Sequence, residues 1–153
     1  MILLFAFLIG IIAGLRAFMA LAMVSLAAGF GWLHLDGSPL HFMGHIVTRV
    51  IFCFGALGEL VNDKLPKTPS RKVPPQFIAR IVTGSLSGAT IGSSEHSLIG
   101  GLGAGAIGAI AGTLGGAEFR GRLAAAIGDK DLPIALIEDI IAILGGLLIV
   151  SHV

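Results

Sequence analysis

The chain has 153 residues, 55% of them hydrophobic and 12% charged, with 23 glycines and a mean hydropathy of +0.96. Soluble domains carry about 25% charged residues, so this composition excludes an ordinary soluble domain and points to an integral membrane protein. A net charge of +1 without a clustered basic face excludes a nucleic-acid footprint, and a lone cysteine, Cys53 in "VIFCFGAL", excludes an internal disulfide.

A bilayer core about 30 Å thick needs about 20 apolar residues per helix, and five segments qualify in chain order. The first covers residues 2–33. It lacks the positive start of a signal peptide, and its apolar character resumes after Arg16 as "AFMALAMVSLAAGFGW", so it reads as mature sequence. It is too long for one straight span and is expected to break near Gly14–Arg16. The second covers 41–61. The third, 77–92, follows a basic, proline-rich loop at 64–76. The fourth, 98–117, is dominated by glycine and continues as "EFRGRLAAAIG"; the fifth covers 133–150. The expectation is an all-α polytopic membrane protein forming a single domain over 1–153.

The connections set an expected orientation. Lys64, Lys67, Arg71 and Lys72 follow the second segment, and Arg120, Arg122 and Lys130 follow the fourth, whereas "HLDGSP" and "SSEHS" carry no Lys or Arg. Positive-inside then makes the two basic loops cytoplasmic. With five crossings, the N-terminus is expected inside and the C-terminus outside.

Two patterns concern packing. "IGIIAG" at 9–14 recurs as "IGAIAG" at 107–112, which makes a candidate inverted repeat of the kind found in transporters. Gly84, Gly88 and Gly92 fall at i, i+4, i+8, as do Gly108, Gly112 and Gly116. Such stripes let helix backbones approach closely, within one chain or across a homodimer. "GGLGAG" has no preceding strand and no Walker lysine, so it is not a nucleotide loop.

Charges cost most. On translocon scales one near the bilayer centre costs at least about 2.5–3.5 kcal/mol, which singles out Arg16, Arg49, Arg80, Glu59, Glu138 and Asp139. Arg16 and Arg49 are deepest and need partners. Arg80, Glu138 and Asp139 are near segment ends and can snorkel. Glu138 and Asp139 are about 100° apart on a helix, so one is expected to face the interior and the other a headgroup or arginine. Glu59, Asn62 and Asp63 share one helical face at i, i+3, i+4, where oxygen ligands suit a hard cation or a proton. The competing reading is that these carboxylates neutralise nearby arginines. Beyond them, Pro66, Pro69, Pro74 and Pro75 stop the helix, and Lys64, Lys67, Thr68, Ser70 and Arg71 form a cytoplasmic surface suited to anions or lipid phosphate. His41 and His45, at i, i+4, fit interfacial histidines better than a metal site. "GSLSG" at 84–88 lacks a base for a serine nucleophile. No cofactor motif is present.

Several stretches resemble one family: "AGLRAFMALAMVSLAA", "GELVNDKLPKTPSR" followed by "ARIVTGSLSGA", "GAIAGTLGG" and "DLPIALIEDIIAI". The chain is similar over essentially its whole length to domain-of-unknown-function family 4126, bacterial multi-pass membrane proteins. The resemblance implies a small inner-membrane protein and carries no activity with it. The polar positions it matches are Arg16, Glu59, Asp63, Lys64, Pro66, Thr68, Pro69, Ser70, Arg71, Arg80, Glu138 and Asp139. "ELVNDK" also resembles the E-x-G-D-K motif of cation/proton exchangers, but its acidic residues are one position further apart and Asn62 stands in the glycine's place.

The expected function is transporter- or channel-like rather than enzymatic. A small ion or solute would pass a polar site lined by Arg16, Glu59, Asn62, Asp63, Arg80, Glu138 and Asp139. Arg16 and Arg80 would balance Glu59 and Glu138, and the loop from Asp63 to Arg71 would gate the site. The alternative is a structural membrane protein whose buried charges are packing pairs.

Overall fold

The computed structural model describes residues 1–62, 74–126, 128 and 131–153, and the side chains of all these except 62, 74, 131 and 132. The described residues form six α-helices and no strand: α1 (Ile2–Leu15), α2 (Ala17–Gly29), α3 (Ile46–Asn62), α4 (Pro74–Ser93), α5 (Leu98–Ala126) and α6 (Asp131–Ser151). Two boundaries differ from expectation. The second segment starts as a 3-10 turn, His41–Gly44, and His45 is extended before α3 begins. The fourth helix runs on through "EFRGRLAAA" to Ala126.

The first segment breaks where expected, at Arg16, whose backbone is extended at φ −143°, ψ 104°. Its N–H still donates to the Ile12 carbonyl at 2.7 Å, closing α1. What the sequence did not predict is the direction of α2. Ile12 lies against Gly145, Met23 lies against Gly146, and Arg16 between them meets Asp139. Six residues of α6 span about 9 Å, so α1 and α2 both leave Arg16 toward the same end. They form a V with Arg16 at its apex.

The other contacts fix the remaining directions. Gly84 meets Ala13 and Arg80 meets Gly14, so α4 opposes α1. Gly92 meets Gly101 and Gly84 meets Gly105, so α5 opposes α4. Arg49 meets Gly29 and Glu59 meets Ala17, so α3 opposes α2. Successive helices thus alternate in direction, and both chain termini lie at one end of the bundle. That replaces the expected odd number of segments with termini at opposite ends. The α1 and α5 copies of the hexapeptide run parallel in direct contact, with Gly10 at Gly105 and Gly14 at Gly112. An inverted repeat needs them antiparallel, so that expectation is not met.

Glycine explains the centre. In water each Gly costs a helix about 1 kcal/mol relative to Ala, yet α5 holds a 29-residue helix because two neighbours press on its backbone. A Cβ at Gly101 or Gly105 would run into the α4 backbone at Gly84, Gly88 and Gly92; one at Gly108 or Gly112 would run into α1 at Phe7, Gly10 and Ile11. The predicted stripes therefore pack within the chain.

Large apolar side chains face outward instead, among them Phe54, Leu57 and Val61 on α3 and Ile140, Leu144 and Leu148 on α6. Exposed apolar surface on this scale marks a face that something apolar covers. Among the described residues two helices, Leu98–Ala126 and Pro133–Ser151, are long and apolar enough to cross a membrane. With 14 and 13 residues, α1 and α2 reach only about 20 Å each.

Candidate functional site at the helix break

Breaking a helix exposes the carbonyls that end its first half and the N–H groups that begin its second. Each set here meets a charge from a distant part of the chain. The Gly14 carbonyl accepts from Arg80 Nη1 at 2.8 Å, and the Leu15 carbonyl accepts from Arg16 Nη1 at 3.4 Å. The Ala17 and Phe18 N–H groups donate to the two carboxylate oxygens of Glu59, at 2.7 and 2.8 Å. Cations at a helix C-terminus and an anion at an N-terminus are the favourable arrangement for both dipoles. Glu59 reaches α2 because α3 runs against it and Gly55, one turn earlier, leaves room for Phe18.

Arg16 is the centre of the site. Its side chain has no exposed surface, and Asp139 Oδ1 lies 2.8 Å from its Nε and 2.6 Å from its Nη2. Glu138 Oε2 is 3.8 Å from Nη2, and the Ala135 carbonyl accepts from Nη2 at 3.4 Å. Arg120 approaches Glu138 from α5 at 3.4 Å. The first turns of α6 thus present a carbonyl and two carboxylates to one guanidinium.

The structure gathers Arg16, Glu59, Arg80, Glu138 and Asp139 at one level of the bundle. One expectation is corrected. Arg80, Glu138 and Asp139 do not snorkel; they are 5%, 3% and 6% exposed, because α4 and α6 pack these faces against the V. Of the two alternatives for the second carboxylate of Glu138 and Asp139, a headgroup or an arginine, the structure has the arginine. Both turn inward, Asp139 to Arg16 and Glu138 between Arg16 and Arg120. The expected balance of Arg16 by Glu138 is present at 3.8 Å; in addition Asp139 lies closer to Arg16 and Glu59 caps α2. The Asn62 side chain, and Asp63, Lys64, Lys67, Thr68, Ser70 and Arg71 of the 64–76 loop, lie outside the described residues.

Arg120 and the four backbone groups of the break were not singled out in the sequence. Arg120 reads there as one loop cation among three, and no spacing rule links it to a carboxylate 18 positions on. At the other end of the bundle, His45 Nδ1 accepts from the Val47 N–H at 3.2 Å and His41 pairs with exposed Asp36 at 3.7 Å. Among the described residues no three His, Cys, Asp or Glu side chains come together to hold a metal.

This whole-length arrangement has a counterpart in one family model, described as "Domain of unknown function (DUF4126)", which matches residues 3–152. The chain belongs to this family. No curated protein and no solved structure matches it. The family's description assigns it no function.

Proposed function

We propose that this family member is a small multi-pass protein of the bacterial inner membrane that passes a small ion or solute at the α1–α2 break. One observation carries the proposal. Both open ends of a broken helix, four buried ionisable side chains and the half-buried Glu59 converge at one point, and interrupted helices with charges at their ends are how transporters build sites within the bilayer. Arg16 and Asp139 would hold the site, Glu59 and Glu138 would exchange with the solute or a proton, and Arg80 would fix the end of α1. The site consists of charges and backbone groups, with no nucleophile and base paired among its described residues, which supports passage rather than catalysis.

Positive-inside supports a cytoplasmic position for this end, since Arg120, which meets Glu138 there, and Arg122 belong to it. With the alternating helix directions, both termini would then be outside, in place of the N-terminus inside. The homodimer stays part of the proposal, although its glycine stripes are occupied within the chain. The exchanger reading is the weaker one, because the acidic residues of "ELVNDK" stand one position further apart than in the exchanger motif and Asn62 takes its glycine's place.

A second reading is favoured by a specific observation. Arg16 meets Asp139 and Glu138, and Arg120 also meets Glu138, as in a structural protein whose charges only specify packing. Proteoliposomes loaded with a pH dye and subjected in turn to proton, sodium, potassium and chloride gradients separate the two. The proposal expects a flux above that of protein-free vesicles, reduced by Glu59→Gln and Glu138→Gln in folded protein. Equal flux in wild type and variants, at the protein-free level, would leave the structural reading.

A further inference from the structure

Arg49 has a different situation from the arginines at the break. It lies in the first turn of α3, half-buried, and its Nε is buried without a hydrogen-bond partner. Its backbone N–H donates to the His45 carbonyl at 3.0 Å, but among the described residues its side chain has no hydrogen-bond or ion-pair partner. A guanidinium on an apolar helix without a protein counter-charge is costly. The chain nevertheless makes room for it: a Cβ on Gly29, at the end of α2, would run into the Arg49 guanidinium.

Arg49 stands beside a cleft, its guanidinium against Gly29 at the edge. Gly29 and Thr48 line a cleft of about 970 Å³ between the end of α2, the α2–α3 connection and the first turn of α3. Volumes of about 300–1,000 Å³ are usual for ligand sites. His34, His41 and His45 line the same cleft, together with Asp36, whose carboxylate pairs with His41. Val47, Ile46 and Thr48 line it as the start of α3, the end of a helix that favours an anion. Phe30, Trp32 and Phe42 are exposed around it, and exposed aromatic rings of this kind sit at the headgroup level of a bilayer.

We propose that this cleft binds the phosphate of an anionic phospholipid headgroup, with Arg49 as its counter-charge and the start of α3 and the histidines as hydrogen-bond donors. Guanidinium matches phosphate geometry in two-point contact. The proposal rests on membrane embedding and is independent of any passage at the α1–α2 break, since it uses the opposite end of the bundle.

The test is native mass spectrometry of the purified protein in detergent, titrated with phosphatidylglycerol, with phosphatidylcholine and with inorganic phosphate. Charge-assisted hydrogen bonds typically contribute enough to give about a tenfold or greater preference. Wild type is expected to retain one phosphatidylglycerol at least about tenfold more tightly than phosphatidylcholine. Arg49→Gln loses that preference, Arg49→Lys keeps part of it, and Gly29→Ala, which displaces the guanidinium, weakens it. The melting temperature of Arg49→Gln without lipid stays at the wild-type value, because no protein contact is lost; a fall there would mean a packing role and overturn the proposal. Displacement of the lipid by millimolar inorganic phosphate would identify free phosphate as the source of the same chemistry. Equal retention of both lipids by wild type, or an unchanged preference in Arg49→Gln, would also overturn it. Carbonate extraction of native membranes checks embedding separately, so its failure is distinguishable from failure of the site.

Discussion

Replacing Arg16 and Asp139, singly and together, examines the centre of the fold most sharply. Both side chains are buried, 0% and 9% exposed, and two guanidinium nitrogens lie within 2.8 Å of one carboxylate oxygen. Removing one member of such a pair costs about 3–5 kcal/mol, because its charge stays in a low-dielectric interior. Arg16→Met falls at the upper end of that range, since it removes the guanidinium shared by Asp139 and Glu138. Asp139→Leu falls lower, because Glu138 remains 3.8 Å from Arg16. The double variant replaces a pair with apolar groups of similar volume, which is often neutral or stabilising by about 1–4 kcal/mol. The coupling energy is therefore expected to exceed about 3 kcal/mol, the top of the usual range for contacting residues. Reversible unfolding in mixed micelles, followed by circular dichroism, measures all four corners of the cycle. A coupling of only about 0.6 kcal/mol, the average for polar contacts between membrane helices, would refute the view that this pair organises the V.

The glycine contacts make a paired prediction: Gly105→Ala puts a methyl group into the α4 backbone and costs about 1–3 kcal/mol or more. Gly103→Ala, with open space around it, is neutral or stabilising by up to about 1 kcal/mol, and the same unfolding assay ranks the two. Glu59→Gln replaces one acceptor of the α2 N-terminus with a donor and costs about 0.5–2 kcal/mol. Its signature is local: hydrogen exchange at the Ala17 and Phe18 amides accelerates more than the global stability change explains, and unchanged protection there would contradict the capping role.

Much of this architecture was legible in the sequence. Helices at 77–92 and 133–150 were readable to within three residues from their apolar runs, and Pro74 and Pro75, read as loop, in fact open α4. The break at Arg16 was readable because a charge in an apolar run needs a reason. The fold-back was not, because it depends on one extended residue and on α6, whose Asp139 is 123 positions away, receiving both arms of the V. The same limit applies to the site. Depth in a segment identified which charges are expensive, but pairing depends on neighbours in space. Asp139 therefore looked like a residue able to snorkel, and Arg120 like an ordinary loop cation. Glu59 and Asp63 share a helical face with Asn62 at the level of spacing; what spacing cannot show is that Glu59 turns toward the N-terminus of a different helix. The hexapeptide repeat misled because glycine-rich helices that pack together use the same small residues whatever their direction.

The central claim is that the α1–α2 break binds a solute as well as holding the helices together. The most direct measurement is a thermal-shift screen of wild type and the Arg16→Met/Asp139→Leu double variant against inorganic cations, anions and small metabolites. A solute at 100 times its dissociation constant stabilises the native state by about 2.7 kcal/mol. The account predicts at least one such shift in wild type that is absent in the folded double variant. An identical response from both proteins would contradict it.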